Sequence, residues 1–380
     1  MKNPFRYGGI VTGAYFADRS GEMKELQREM ENINRVFLIS PRRLGKTCLL
    51  HNLMDAPALT EHAFAYIDLN AFPDLRSFAS AITSLTTKAL ESNTEKILKL
   101  FSGFKRLRPT LNLGLDGNVI AGLELGADDK DALAALVEGL SHANALAAAQ
   151  KKTLVIIIDE FSDIEKYNGG TVEKAMRAEI QKHRHTGYIF SGSEQSVMLS
   201  MVRDRKRAFY KMGRIMSLEP IQQKTYENFI SGWFEKGGYG ISVENVRRII
   251  HMGENVTYNV QRLCHTAWEM AVETKTIDAA LIERLPMIIV KQDQPHYEMI
   301  WQTISPAQRS LLIALTQDPD ALPFSREFQF RHKIGPSSSI KASLVSLIKK
   351  GVLLKTVREG KYRFADLFLP YWIRKIRELQ

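Results

Sequence analysis

Residues 36–50, VFLISPRRLGKTCLL, constrain this chain more than any other stretch. VFLIS reads as a buried strand, and the text from Lys46 onward reads as a helix. The loop between them ends in Gly45-Lys46-Thr47. A strand, a glycine-bearing loop and a helix start, in that order, aim backbone N–H groups at one point, as a polyphosphate requires. Gly45 allows close backbone approach, Lys46 reaches β and γ oxygens, and Thr47 can offer its hydroxyl to Mg²⁺. Ser40 stands where the G-x-x-x-x-G-K-[ST] pattern begins with glycine, which costs backbone freedom at the strand exit. The candidate nucleotide-contacting residues are therefore Ser40, Pro41, Arg42, Arg43, Leu44, Gly45, Lys46, Thr47 and Cys48, with Arg42 and Arg43 adding positive charge.

A second stretch, TLVIIIDEF (153–161), is an apolar run ending in two acids. Open α/β sheets bind ligands at the carboxyl edge of their strands, where those acids fall. Asp159 is placed to hold Mg²⁺ through water, and Glu160 to orient and deprotonate an attacking water. Together with the strand-loop-helix, the pair points to a nucleotide, with Mg²⁺, as the ligand. YIFSGSEQS (188–196) ends a further strand in small polar residues and offers Ser191 or Ser193 to a γ-phosphate, though a serine-glycine turn reads the same way. SMVRDRKRAFYKMGR (200–214) contains Arg203, Arg205, Arg207 and Arg214. One arginine reaching developing phosphate charge would speed hydrolysis, and a solvated charged face is the plain alternative. Arg207 stands with Lys46 and Glu160 as the catalytic candidates.

At 380 residues the chain exceeds a typical single core. Its first half alternates strand-like and helix-length segments, as in a parallel α/β sheet covered on both faces. Strands are expected at 36–40, 64–70, 153–160, 186–193 and 214–220. RLRPTLNLGLDGNVIAGLELG (106–126) breaks the alternation with two runs joined by LDGN, a β-hairpin signal. From Ile221 the text becomes helical, and from Ser305 it gives a capped helix, then PSSSIKASLVSLIKKGVLLKTVREGKYRFADL, read as helix, strand, turn and strand. That is the order of a winged helix-turn-helix. The expected domains are a core over 1–221, a helical lid over 222–295 and a winged helix over 296–380.

Net charge is +10, and residues 296–380 carry 14 Lys and Arg against 7 Asp and Glu. In the expected helix, Ile340, Leu344, Leu347 and Ile348 form the buried face, while Ser338, Lys341 and Lys349 lie elsewhere. Lys355, Arg358, Lys361 and Arg363 decorate the wing. Such a module suits duplex DNA, and equally a protein contact. Cys48 and Cys264 have no ligand spacing. The sequence leads us to expect no bilayer-length apolar run, no secretory signal in MKNPFRYGG, and a cytoplasmic location.

These residues resemble the archaeal-type ATPase family, P-loop proteins of the AAA/STAND branch. SPRRLGKT is similar to the family's Pro-Arg-Arg-x-Gly-Lys-Thr loop, IIIDEF to its Walker B strand, and FSGS to its sensor strand. YGGIVTGAYFADRSGEMKEL resembles the segment before the loop, which implies that Phe16 and Arg19 border the nucleotide base, with Glu22 on the same pattern. RAFYKMGRIMSLEPI is similar to the Arg-Pro-Phe-Tyr segment, with Ala208 in place of proline, and YRFADLFLPYWIR to the ending after the wing. Thr257 occupies another expected proline position, in the lid. The resemblance implies a P-loop NTPase core with a five-stranded parallel sheet, a helical lid and a C-terminal winged helix. It also implies an ATP-binding switch whose nucleotide state repositions the C-terminal domain. Three uses stay open: an ATPase switch acting as a single chain or as an oligomer, a nucleotide-regulated DNA-binding protein of a mobile element or defence system, and a protein-interaction switch.

Overall fold

A computed structural model describes residues 1–17, 19–90, 107–113, 119–125, 129–356 and 360–378. The chain divides into two compact units, residues 7–222 and residues 1–6 with 223–380.

The unit of residues 7–222 runs α1 (Ser20–Glu31), β1 (Arg35–Ile39), α2 (Lys46–Met54), β2 (His62–Asp68) and α3 (Leu75–Leu90). It continues with β3 (Leu107–Leu113), β4 (Val119–Leu125), α4 (Asp129–Ala149), β5 (Thr153–Asp159), α5 (Gly169–Ile180), β6 (Thr186–Gly192), α6 (Gln195–Arg203) and β7 (Arg214–Ser217). Five strands form one sheet in the order β2-β5-β6-β1-β7, every pairing parallel. All of β6 and all but the first residue of β5 are buried. Since successive residues point to opposite faces, both faces of these strands are covered. Phe37, Phe161, Phe190 and Phe209 pack ring against ring with centroids 4.6–5.8 Å apart, each contributing about 1.5–3 kcal/mol of burial. The ends of β1 and β5 share one edge of the sheet with β6 between them, roughly 10 Å apart over two strand spacings. A lysine at the start of α2 can span that gap.

Three local details bear on the sequence expectation. β2 stops at Asp68, because the Asp68 carboxylate accepts the Asn70 N–H at 3.1 Å and starts a turn. The strands of the expected hairpin, β3 and β4, do pair antiparallel, Leu107 opposite Leu125, and the LDGN turn lies outside the described residues. Residues Ala132–Ala149 of α4 are long and apolar enough to cross a membrane by length and composition, contrary to expectation. Their alanine-rich text hides this, and in the structure Ala135, Leu136, Leu140, Ala143 and Ala147 are buried in the α/β core. Gly139 lets α4 approach α3 closely, since a Cβ there would lie 2.4 Å from Thr83 Oγ1.

The other unit begins with α7 (Gln223–Lys236), α8 (Val243–Met252), α9 (Thr257–Met270) and α10 (Ala279–Gln292). The two-residue strands β8 (Gly240–Ile241) and β9 (Thr276–Ile277) pair in parallel. Phe5 is fully buried here against Phe234 and Trp268, and Asn3 donates to the His265 carbonyl and to Glu269. Thr257 opens α9 at its first position, where proline is favoured but not required.

The same unit continues with α11 (Gln294–Gln302), α12 (Pro306–Gln317), α13 (Arg326–His332), α14 (Ser337–Lys349), the antiparallel strands β10 (Leu353–Lys355) and β11 (Tyr362–Phe364), and α15 (Leu369–Glu378). Ser305 and Gln308 form a reciprocal capping box on α12. Ile340, Leu344 and Leu347 are buried, as their spacing requires, with Ser343 beside them, and Ile348 is half-buried. The sequence reading does not single out α11, α13 or α15. α13 is too short to show a period, and the Ser325 hydroxyl starts it by accepting the Phe328 N–H. Arg358 of the expected wing lies outside the described residues.

Candidate nucleotide site

The loop after β1 is built from two left-handed residues. Arg43 has φ 71° and Gly45 φ 92°. For Gly45 that conformation is free; a side chain there would be strained. Ser40 stays in the ladder, its N–H donating to the Gly192 carbonyl at 3.2 Å, and its hydroxyl donates to the Pro41 carbonyl at 2.9 Å. Serine therefore fits the strand exit, fully buried and hydrogen-bonded. Gly45 caps α2, whose first N–H groups face the loop.

Lys46 is 6% exposed, and a buried ammonium needs partners. Its Nζ bonds Asp159 Oδ1 and lies 3.4 Å from Glu160 Oε1. Asp159 also accepts from the Thr47 hydroxyl at 3.1 Å, the Tyr66 hydroxyl at 2.8 Å and the Glu160 N–H at 2.9 Å. Burial alone pushes the Asp159 carboxyl up; Lys46, then Tyr66 and the Glu160 N–H, outweigh it and hold it below the usual carboxylate range. Burial and the Asp159 charge drive the Tyr66 phenol well up, so it remains a donor. Glu160 itself sits at φ 49°, ψ 44°, a left-handed non-glycine at the end of β5. Such strain costs on the order of 1 kcal/mol and concentrates at functional sites. Its Oε2 accepts the Ser193 N–H at 3.1 Å and the Ser193 hydroxyl at 2.8 Å. Arg42 Nε in turn donates to that hydroxyl at 3.4 Å.

The structure thus brings together Lys46, Thr47, Asp159 and Glu160 from two distant stretches, and adds Tyr66 and Ser193. Tyr66 carries one sequence signal, a polar aromatic in the apolar run FAYID, whose strand pairs in register with β5. Ser191 is fully buried, and its hydroxyl has no hydrogen-bond partner within the described residues. Cys48 accepts the Val11 N–H at 3.3 Å, and Asn52 bonds Val11 and Gly13, so the N-terminal segment is stitched to α2. Phe16 is half-buried in that segment. Arg19 is buried, donating to the carbonyls of Leu44 at 3.0 Å and Glu219 at 2.6 Å. Its guanidinium is thus bonded to the loop's backbone. Arg207 pairs with Glu173 and Glu165 rather than with the lysine–carboxylate cluster.

The oxygens of Thr47 and Asp159 are hard donors that suit Mg²⁺ rather than a thiolate- or imidazole-loving metal. Among the described residues no group of three His, Cys, Asp or Glu side chains is arranged to hold a metal. A cation here would need oxygens from elsewhere, as Mg²⁺ takes from phosphates and water.

Residues 16–253 match a family described as "ATPase domain predominantly from Archaea", and residues 295–375 one described as "Probable winged helix domain". Among solved structures, a Walker-type ATPase of Pyrococcus abyssi is similar, with 15% identity, 98% of this chain and 99% of that one covered, and a TM-score of 0.63. The ORC2 protein of Aeropyrum pernix, solved as ADPNP–ADP complexes, is similar with 14% identity, 100% and 98% coverage, and a TM-score of 0.56. At such identities the likeness shows the fold. No curated protein matches the sequence. The first match spans more than half of the chain, from the segment ahead of the phosphate-type loop to the end of α8, and the chain accordingly belongs to the family of nucleotide-binding ATPase domains found predominantly in Archaea.

Proposed function

We propose that this ATPase is Mg²⁺-dependent and works as a molecular switch of the AAA/STAND type, its nucleotide state repositioning the basic winged-helix domain. The observation that carries the reading is Lys46, buried at the start of α2 and held by Asp159 and Glu160. Lys46 would exchange the Asp159 carboxylate for β and γ oxygens, which also accept the N–H groups of the α2 start. Thr47 and Asp159 would hold Mg²⁺, which supplies charge neutralisation on the phosphates. Glu160 would accept a proton from water, oriented by Ser193. The buried Ser191 hydroxyl would find its missing partner in a phosphate oxygen. Phe16 and Arg19 would form the base side of the site, Arg19 by holding the Leu44 carbonyl in place. Arg207 would have to leave Glu173, whose side chain is fully buried, at a cost of about 3–5 kcal/mol. Its ion pairs favour holding the segment 204–213 in its own chain.

The test is hydrogen exchange with the purified chain in ATP·Mg²⁺ and in ADP, beside phosphate release. We expect release that stops with EDTA, and exchange that differs between the two nucleotides within residues 223–378. Turnover with identical exchange would leave an ATPase and remove the switch.

One observation favours duplex DNA as the partner of the winged helix. Ser338, Lys341, Ala342, Val345 and Lys349 are all exposed on α14, a small and basic face that fits a groove. Lys341→Glu is expected to weaken duplex binding and to flatten its salt dependence by about one unit of slope. Unchanged binding would instead favour a protein partner.

A further inference from the structure

The Asp159 carboxylate accepts four hydrogen bonds, as many as its two oxygens hold. Oδ1 takes Lys46 and the Glu160 N–H; Oδ2 takes Thr47 and Tyr66. Two of these donors are needed elsewhere when the proposed site is loaded. Lys46 turns to phosphate oxygens and Thr47 to the cation. What then remains on Asp159 is the Glu160 N–H, which pins Oδ1, and the Tyr66 hydroxyl, which pins Oδ2. One anchor leaves a carboxylate free to rotate about its Cβ–Cγ bond, and two fix its plane.

Tyr66 is well placed to be the second anchor. Its backbone is paired with β5, Tyr66 opposite Ile157. Its ring lies against His51 of α2, centroids 4.8 Å apart at 45°. It therefore ties together β2, β5 and the helix that follows the loop. We infer that Tyr66 is a positioning residue which keeps the Asp159 carboxylate aimed at the nucleotide-associated divalent cation and so sets the affinity for that cation. This rests on the Mg²⁺–ATP reading above. A tyrosine whose hydroxyl merely satisfies itself on the nearest acid would contribute to folding and leave cation affinity alone.

The experiment uses the full chain and Tyr66→Phe, which keeps the ring against His51 and removes only the hydroxyl. Binding of a fluorescent ATP analogue is measured from EDTA to saturating Mg²⁺. We expect affinity in EDTA to match the parent, and the Mg²⁺ concentration giving half of the metal-dependent gain to rise roughly 10- to 100-fold. Saturating Mg²⁺ should restore kcat. Each midpoint is read against the same protein's EDTA value, so a fraction of unfolded protein cancels. In an Asp159→Asn background the Tyr66→Phe change should have no further effect on the midpoint. A midpoint equal to the parent's, or additive effects of the two substitutions, would overturn the assignment of Tyr66 alone. A parent whose nucleotide binding ignores Mg²⁺ would overturn the cation reading and this inference with it.

Discussion

Glu160→Gln is expected to bind ATP as the parent does and to hydrolyse it about 10²- to 10⁴-fold more slowly, the range attributed to a general base. The geometry makes this substitution informative. Glu160 is held at the end of β5 by its left-handed backbone and by Ser193, which donates to Oε2 through both N–H and hydroxyl. Glutamine has the same shape, and its amide oxygen can still accept from Ser193. What it lacks is a basic oxygen for the proton of water. The lost rate would therefore report chemistry rather than a collapsed loop. Phosphate release under single-turnover conditions, set beside equilibrium binding of a fluorescent nucleotide, separates the two. Turnover at the parent rate would remove Glu160 as the base.

Lys46→Ala should show an equally large effect on a different step. In the proposed site Lys46 would make charge-assisted contacts to phosphate, which are stronger than neutral ones, and losing two of them at about 1.5–3 kcal/mol each would lower nucleotide affinity by roughly 100-fold or more. The substitution also acts on the nucleotide-free protein. Asp159 is 3% exposed, and Lys46 is its cationic partner. Breaking a buried pair from one side costs about 3–5 kcal/mol, moderated here because Thr47, Tyr66 and the Glu160 N–H still donate to Asp159. Thermal unfolding should therefore fall for Lys46→Ala and recover in part for Lys46→Ala with Asp159→Asn, while nucleotide binding stays lost in both. Nucleotide affinity retained by Lys46→Ala would sink the loop assignment.

Much of this was legible because it rests on local chemistry. The apolar run VIIID reads as a strand covered on both faces, and a glycine before Lys46-Thr47 reads as a tight approach to a helix start. Ser40 raised a doubt that the structure answers locally, through its bond to Pro41 and its place in the ladder. What stayed hidden was lateral. Tyr66 reaches Asp159 across a parallel pairing whose register no single stretch encodes. Arg19, implied by resemblance to border the base, is spent on the carbonyls of Leu44 and Glu219, a contact 200 residues away in the chain for the latter. Arg207, a catalytic candidate drawn from a charged run, carries no local sign that Glu173 and Glu165 hold it. Helices such as α13, set by one serine cap and under two turns long, leave no period to read.

We place the triphosphate at the buried lysine–carboxylate cluster at the start of α2. A crystal structure of the chain with a non-hydrolysable ATP analogue and Mg²⁺ tests that placement most directly. The triphosphate is expected across the N–H groups of residues 43–47, with Lys46 Nζ moved from Asp159 onto β and γ oxygens, and Tyr66 still bonded to Asp159. A nucleotide bound elsewhere, or one bound here with Lys46 still paired to Asp159, would contradict it.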